Sequence, residues 1–288
     1  MNARDPAPLL ATWDAAVRWL RSQPDRQALV RDAYYDDPLI GSAERYWRSE
    51  EWRAVREFLP GVGAVLDVGA GRGIASYALA RDGFTVTALE PDDSSLVGAE
   101  AIRALAHDAG LPITVVQDFS ERLPFADASF DVVFARAVLH HTHDLAAACG
   151  EFARVLRPGG RMLAIREHVI SRNADKQAFL DAHPLHHLYG GENAFLLSEY
   201  RGALEQAGLH LQQVLDPFAS PINFSPYKLD GLQQEIARRA GRFLPGTTSV
   251  LSTVLAVPQM WQLVRRVLAV LDNRPGRLYS FVAMKADK

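Results

Sequence analysis

The chain has 288 residues, of which 48% are hydrophobic and 23% are charged, and its formal net charge is −3. This length allows one large globular domain with additions, or two small ones, and the weak charge argues against nucleic acid as a partner. The single cysteine, Cys149, excludes an internal disulfide and a cysteine-based metal site, and it is expected in a helix core.

No targeting or membrane-spanning segment is expected. Residues 1–8 lack a basic segment followed by an apolar one, so no signal peptide is predicted. The most apolar later segment, 247–271, is interrupted by Pro258 and by polar and basic residues, which argues against a membrane span. These features, together with the low cysteine content, predict a cytoplasmic protein.

Amphipathic helices are predicted before the first strand. Apolar residues recur at helical spacing within 9–22 and 49–59, and Ser49 fits the N-cap of the second segment. The intervening residues 32–47 are rich in tyrosine, tryptophan and charge. Their aromatic side chains either seat the N-terminal helices on the core or form a lid that closes over a ligand. Residues 1–60 are therefore expected to form an N-terminal helical cap.

The central feature of the sequence is a buried strand, predicted at 64–68, that leads through a glycine-rich turn into a helix predicted at 74–81. A Cβ in such a turn would block both a positive φ and the close approach of a ligand. The following helix also presents free backbone N–H groups to the turn. Ile74 occupies the position of the third glycine in the dinucleotide fingerprint, and Asp67 favours a cationic ligand over a pyrophosphate.

Strands and helices alternate after Gly61, which predicts a parallel sheet with helices on both faces. The predicted strands are 64–68, 84–89, 113–117, a fourth ending at Ala135, 161–165, 209–215 and an antiparallel seventh at 278–284. An insertion, 216–276, separates the last two strands and has helical periodicity at 229–244 and 250–271. It is expected to shape the substrate pocket, although the apolar residues 250–257 could instead contact an interface or a membrane surface.

Acidic residues follow the second and third predicted strands. Glu90, followed by Pro91, lies where a ribose would bind, because a carboxylate can accept hydrogen bonds from both ribose hydroxyls. A surface carboxylate without a role is the alternative for Glu90. Asp118 and Phe119 follow the third strand.

The order Asp67-x-Gly-x-Gly-x-Gly, then Glu90, then Asp118, resembles the class I S-adenosylmethionine-dependent methyltransferases. The Leu-Pro-Phe…Ser-Phe-Asp pattern at 123–131 is similar to the small-molecule branch, which includes quinone and sterol methyltransferases. The resemblance covers roughly residues 61–215, and it implies a Rossmann-like, doubly wound α/β sheet of seven strands. The methyltransferase domain would then be 61–288.

The resemblance also implies S-adenosylmethionine as the cofactor, with Asp118 accepting from the adenine amino group and Phe119 packing on the ring. The residues expected to contact the cofactor are Asp67, Gly69, Ala70, Gly71, Glu90, Pro91, Asp118, Phe119 and Arg136. Arg136 and Arg72 are expected to be solvated or capping groups rather than catalytic ones.

Histidines are the candidate general bases, because the ordinary pKa of imidazole suits proton transfer near neutrality. His140 and His141 follow the fourth strand and should face the reacting methyl group, with His141 the preferred base. The same pair could instead only shape the pocket. His187 lies in a second candidate segment, within an expected substrate loop at 172–196 whose composition suits a hydroxylated acceptor. No metal is expected, since neither histidine cluster has the spacing of a hydrolytic zinc site.

The sequence therefore predicts a methyltransferase acting on a small-molecule or glycan acceptor, with oxygen as the preferred acceptor atom. Two alternatives remain open at this point. One is an NAD(P)-dependent oxidoreductase, which the glycine spacing and the Asp118-Phe119 pair disfavour. The other is a scaffold that keeps the fold and the cofactor without catalysis.

Overall fold

A computed structural model describes residues 10, 12–183, 185–243 and 246–287. In these residues eight strands form one sheet. The strands are β1 (Ala64–Val68), β2 (Thr85–Leu89), β3 (Ile113–Val116), β4 (Phe130–Arg136), β5 (Leu156–Ile170), β6 (Phe195–Leu196), β7 (Leu209–Leu215) and β8 (Arg277–Lys285).

The main path of the sheet has the order β3-β2-β1-β4-β5-β8-β7, and the two-residue β6 pairs with β5 outside this path. Strands β3, β2, β1, β4 and β5 are mutually parallel, whereas β8 runs antiparallel between β5 and β7. The predicted doubly wound sheet with an antiparallel last strand is confirmed, and β6 is an addition to it.

Helices cover both faces of the sheet and form both flanking additions. They are α1 (Trp13–Ser22), α2 (Gln27–Asp32), α3 (Leu39–Trp47), α4 (Glu50–Arg56), α5 (Ile74–Arg81), α6 (Ala99–Ala109), α7 (Leu145–Val155), α8 (Asp175–Ala182), α9 (His186–Tyr189), α10 (Leu197–Gln206), α11 (Pro221–Phe224), α12 (Leu229–Gly241), α13 (Thr248–Ala256) and α14 (Pro258–Leu271). Short 3₁₀ helices lie at Pro24–Arg26 and Leu139–His141. Ser49 caps α4 as predicted, since its side chain accepts from the N–H of Trp52.

Two elements differ from the sequence expectation. β5 is much longer than the predicted 161–165, because Leu156 already pairs with Phe130 and the strand continues past Ile165 along β8. The single helical segment predicted at 250–271 is two helices bent by 106°. Pro258 stands at the start of α14, where its missing N–H costs nothing, but it cannot continue a preceding helix.

Alternate residues of each central strand pack against opposite helical layers. Val65 faces the layer that contains Trp52 of α4 and Leu79 of α5, whereas Leu66 faces the layer that contains Phe152 of α7. Cys149 of α7 lies fully buried in the second layer, which confirms the prediction for it. Helices therefore support both faces of the sheet, and the carboxyl ends of its parallel strands lie together at one edge.

The insertion has a small core of its own. Phe224, Leu232, Leu255 and Trp261 are buried together there. Its outer surface exposes apolar side chains: Val250, Val257, Met260, Leu263, Val267, Val270 and Leu271. No single helix in the described residues has the length and apolar composition to cross a membrane, and only α13 and α14 taken together, as a bent pair, meet those two criteria.

Candidate functional site

The glycine turn after β1 is built as the sequence predicts. Gly69 and Gly71 have φ values of +58° and +55°, in the left-handed region that favours glycine. A Cβ on Gly69 would lie 2.8 Å from a methyl carbon of Val138, so only glycine fits there. A Cβ on Gly71 would meet no protein atom within 4 Å, because that face of the turn opens into a cavity.

Two buried carboxyl groups support this turn. Glu90 accepts from the N–H of Gly71 at 2.7 Å and from the N–H of Asp92 at 3.0 Å, and burial raises its pKa. Asp67 accepts from the hydroxyl of Ser76 at 2.5 Å, and burial raises the pKa of Asp67 to about 7. A cationic ligand beside these groups would favour their ionised forms.

The cavity at this edge of the sheet has a volume of about 530 Å³, which is in the range of small-molecule sites. All of the residues expected to contact the cofactor line it: Asp67, Gly69, Ala70, Gly71, Glu90, Pro91, Asp118, Phe119 and Arg136. Phe119 is 58% exposed, so its ring is available to pack on a bound group. The open glycine turn, the buried carboxyl groups and this ring fit an adenosyl sulfonium cofactor. No residue of the insertion 216–276 lines the described part of the cavity, so the structure does not bring the insertion to this pocket.

The aromatic residues that precede and begin α4 support the N-terminal helices, which is one of the two interpretations left open, and two tyrosines among them also line the cavity. Tyr46 and Trp52 are fully buried and seat the N-terminal helices on the sheet. Tyr34 and Tyr35 line the cavity, with Trp13 of α1 beside them. This segment is therefore both a structural support and a wall of the site.

Arg72 connects the aromatic segment to the glycine turn through hydrogen bonds. Its guanidinium is buried, and it donates to the carbonyl oxygen of Tyr34 at 2.9 Å and to the Asp37 carboxylate at 2.8 Å. The expectation of a solvated or capping Arg72 was wrong, because its partners come from a segment distant in sequence.

Arg136 is only partly exposed, with 23% of its side chain accessible, and it is bound to other residues, which corrects the expectation of a solvated group. Its Nε donates to Glu51 of α4 at 2.6 Å, and its guanidinium lies over the rings of Tyr34 and Tyr46. Burial alone would raise the pKa of Glu51, but Arg136 and Arg166 hold it below its usual value. Arg136 thus lines the cavity while it ties the N-terminal helices to the end of β4.

The histidine loop after β4 is held by a buried carboxylate. Glu167 of β5 is fully buried and accepts from the backbone N–H groups of Val138, Leu139 and His140 at 3.1, 3.2 and 3.1 Å. The same carboxylate lies 2.6 Å from Nδ1 of His140. His140 is buried, and burial with the neighbouring His141 lowers its pKa well below the usual value, so its imidazole is neutral.

His141 is more accessible than His140. Its side chain is 44% exposed, and its Nδ1 lies 3.1 Å from the carbonyl oxygen of Gly191. A carbonyl oxygen only accepts, so Nδ1 is the donor in this hydrogen bond and Nε2 is left to accept one. Both histidines of the predicted pair line the cavity, as the sequence led us to expect.

The structure does not bring His187 to this cavity. His187 lies on α9, and its Nε2 donates to the carbonyl oxygen of Asp181 at 2.6 Å. Two other residues of the second candidate segment, His183 and Glu192, do line the cavity, and so does His168, which the sequence analysis did not single out. His168 directly follows Glu167 on β5, but no local motif marks it.

Glu192 lies among histidine nitrogens without a hydrogen bond to any of them. One of its oxygens is 3.7 Å from Nε2 of His140 and 3.9 Å from Nε2 of His141, and the other is 3.8 Å from Nδ1 of His183. Burial raises the pKa of Glu192 to about 7, and burial with the neighbouring His168 lowers the pKa of His183 to about 3.

Comparison with known proteins agrees with this geometry. A family model described as a methyltransferase domain matches residues 66–164. A 27-O-demethylrifamycin SV methyltransferase of Amycolatopsis mediterranei is 30% identical over 191 residues, which are 65% of this chain and 68% of that relative. A ubiquinone biosynthesis O-methyltransferase of Paramagnetospirillum magneticum is 38% identical over 161 residues, which are 55% and 58% of the two chains.

Among solved structures, a geranyl diphosphate methyltransferase in complex with GPP and sinefungin has a TM-score of 0.57 at 16% identity, over 98% of this chain and 89% of that one. This likeness shows a common fold. The chain spans from 26% to 49% of the length of the first four curated relatives that it matches. The order of the motifs, the sheet and the sequence relatives agree, and the chain belongs to the class I S-adenosylmethionine-dependent methyltransferases.

Proposed function

We propose that this chain transfers the methyl group of S-adenosylmethionine to a hydroxyl oxygen of a small-molecule or glycan acceptor in the cytoplasm. The observation that carries the proposal is that one cavity joins the glycine turn to the histidine loop, so that Gly71 and His141 line the same space. A cofactor on the turn and an acceptor beside the loop would therefore meet inside it.

The protein's part in the reaction is to position the two reactants and to accept a proton. When bound, S-adenosylmethionine supplies a methyl group that is already activated on a sulfonium. Asp67 and Glu90 would bind the cationic and ribose parts, and Phe119 would pack on the adenine. His141 would accept the proton of the acceptor hydroxyl on Nε2, because Nδ1 is engaged with Gly191.

The exposure of His141 supports this choice over its neighbour. A half-exposed imidazole can pass its proton to solvent after each turnover, whereas His140 is enclosed and its Nδ1 is held by Glu167. His140 is therefore assigned a positioning role in methyl transfer, and it is not the proton acceptor.

The acceptor end of the cavity is polar. Residues of the loop at 172–196 form this end, among them His183, Tyr189 and Glu192. Such a lining favours a hydroxylated acceptor, and the ubiquinone relative is named as an O-methyltransferase. We accordingly assign 172–196 as the substrate loop and residues 1–60 as a cap over a methyltransferase domain at 61–288.

The experiment that tests the proposal measures binding and transfer separately. Calorimetry with S-adenosylmethionine, S-adenosylhomocysteine and NADH should show binding of the two sulfur ligands and none of NADH. Methyl-labelled cofactor should then label a hydroxylated acceptor from a panel of sugars, quinols and phenols. Absence of sulfur-ligand binding would contradict the proposal. Binding without transfer to any member of the panel would favour the scaffold alternative.

A further inference from the structure

Three potential metal ligands converge at the acceptor end of the cavity. His140 lies in the 3₁₀ helix after β4, His168 lies near the end of β5, and Glu192 lies in the loop before β6. One ligand atom of each lies within 4.8 Å of the others. Both His140 and Glu192 are largely buried, with side-chain exposures of 2% and 7%.

The hydrogen bonds of His140 and His168 leave one nitrogen of each ring free to bind a metal ion. Nδ1 of His140 is bound to Glu167, and Nδ1 of His168 lies 3.0 Å from the carbonyl oxygen of Gly276. Because these oxygens accept hydrogen bonds, each Nδ1 carries the proton and each Nε2 keeps a free lone pair. An imidazole whose second nitrogen donates to a carboxylate or a carbonyl is the usual arrangement of a metal-ligating histidine.

The separations within the cluster suit a cation better than direct hydrogen bonds. Nε2 of His140 and the nearer oxygen of Glu192 are 3.7 Å apart, which is too long for a hydrogen bond. Two ligand atoms of a tetrahedral zinc ion, each about 2.1 Å from the metal, are about 3.4 Å apart. Closing the cluster around an ion therefore needs side-chain movements of roughly 1 Å.

The charged groups around Glu192 also favour a bound cation. Within the described residues, the ion-pair contacts of Glu192 are with His140, His141 and His183, and none is with a lysine or an arginine. Nδ1 of His183 is buried and has no hydrogen-bond partner. A buried carboxylate without a lysine or arginine partner is costly to ionise unless another cation compensates its charge.

We propose that His140, His168 and Glu192 bind one divalent cation of the zinc class. Two imidazoles and one carboxylate leave a fourth position open, which is the ligand set of catalytic zinc sites. This position would face the cavity beside His141. The expectation of no metal came from sequence spacing, whereas these ligands belong to three separate segments.

The consequence for catalysis rests on the proposed function. An acceptor hydroxyl on the open position would lose its proton more easily, because the cation stabilises the alkoxide or phenolate. The O–H bond breaks and Nε2 of His141 takes the proton. The oxygen then forms the O–CH₃ bond as the C–S bond breaks and its electron pair remains on sulfur, giving S-adenosylhomocysteine.

Metal binding by the full chain tests the proposal without any methyl transfer. After dialysis against a chelator, the protein is titrated with Zn²⁺ by calorimetry and with Co²⁺ by visible absorption, and the metal content is measured by mass spectrometry. We expect one ion per chain. We also expect visible absorption bands typical of a Co²⁺ ion with a low coordination number. His168→Ala and the nearly isosteric Glu192→Gln should each weaken binding by about ten-fold or more.

Two exposed residues provide matched controls. His107→Ala and Glu205→Gln remove the same side-chain types from the surface, and the affinity for the metal should stay unchanged. Equal metal affinity in wild type, His168→Ala and Glu192→Gln, or a content far below one ion per chain, would overturn the proposal. Binding of S-adenosylhomocysteine, measured on the same samples, reports the proposed function separately. We expect Glu192→Gln to retain it.

Discussion

Glu167 holds His140 in place from inside the sheet. Its carboxylate lies 2.6 Å from Nδ1 of His140 and also accepts the backbone N–H of His140 at 3.1 Å. Together with the N–H groups of Val138 and Leu139, four donors converge on one buried carboxylate. The loop that carries the candidate base is thus fixed by a residue of the neighbouring strand.

Glu167→Gln should destabilise the protein. Its side-chain NH₂ would face backbone N–H groups, which leaves buried donors unsatisfied at a cost of about 1–3 kcal/mol in the free energy of unfolding. Urea unfolding followed by circular dichroism measures this cost, with the exposed Glu205→Gln as the control. A Glu167→Gln protein as stable as the control would show that the carboxylate does not hold the loop.

Gly71→Val should abolish cofactor binding. Valine is strained at a φ of +55°, and its side chain would enter the cavity at the glycine turn. Gly110→Val is a matched control, because Gly110 has a φ of +62° and a Cβ there meets no atom within 4 Å, but it ends α6 away from the cavity. Both variants should lose similar stability, whereas calorimetry should detect S-adenosylhomocysteine binding only in Gly110→Val. Wild-type affinity in Gly71→Val would contradict the assignment of the turn.

Asp67 should make the stability of the cofactor-free protein depend on pH. Burial is the main cause that raises its pKa to about 7, the Ser76 hydroxyl and Arg136 oppose the shift, and Glu90 adds to it. A carboxyl whose folded pKa lies above its unfolded value contributes stability at low pH, and this contribution is lost as the pH rises through the folded pKa. Between about pH 5 and pH 8, wild type should therefore lose about 2 kcal/mol relative to Asp67→Asn.

Unfolding of the two proteins at several pH values measures that difference. The comparison with Asp67→Asn cancels the contributions of the other buried carboxyl groups, since both proteins contain them. A stability difference that stays constant across this pH range would show that Asp67 ionises as easily in the folded chain as in the unfolded one.

Arg136→Met should leave the Glu51 carboxylate buried with Arg166 as its remaining partner, at 3.6 Å. Removing one member of a buried ion pair costs about 3–5 kcal/mol, and Arg166 should keep the loss near the lower value. The double variant Arg136→Met, Glu51→Gln should be less stable than Arg136→Met alone, because it leaves the Arg166 guanidinium without its carboxylate partner. A double variant more stable than Arg136→Met alone would refute this account.

His141→Ala should lower kcat by about 10²–10⁴-fold, the usual contribution of a general base, and leave cofactor affinity unchanged. Initial rates with an identified acceptor and calorimetry with S-adenosylhomocysteine measure the two effects. His107→Ala, on an exposed helix end, is the control for the loss of a histidine. An unchanged kcat in His141→Ala would remove His141 as the base.

Local patterns in the sequence were sufficient to predict the fold and to identify the residues around the glycine turn that line the cavity. β1 and β7 lie where their apolar runs predict them, and the glycine turn has the left-handed backbone that its composition requires. The residues expected to contact the cofactor line one cavity because the carboxyl ends of parallel strands meet at one edge. Each of these features depends on residues that are close in sequence.

Tertiary structure alone decided which residues line the histidine end of the cavity and which partners the two arginines bind. Arg136 contacts Glu51, which lies 85 positions away in the sequence, and no spacing rule predicts a contact between such residues. His140, His168 and Glu192 likewise come from three segments that only the folded sheet brings together. Spacing along one strand or helix predicts which residues share a face, but the meeting of distant segments depends on how the whole chain packs.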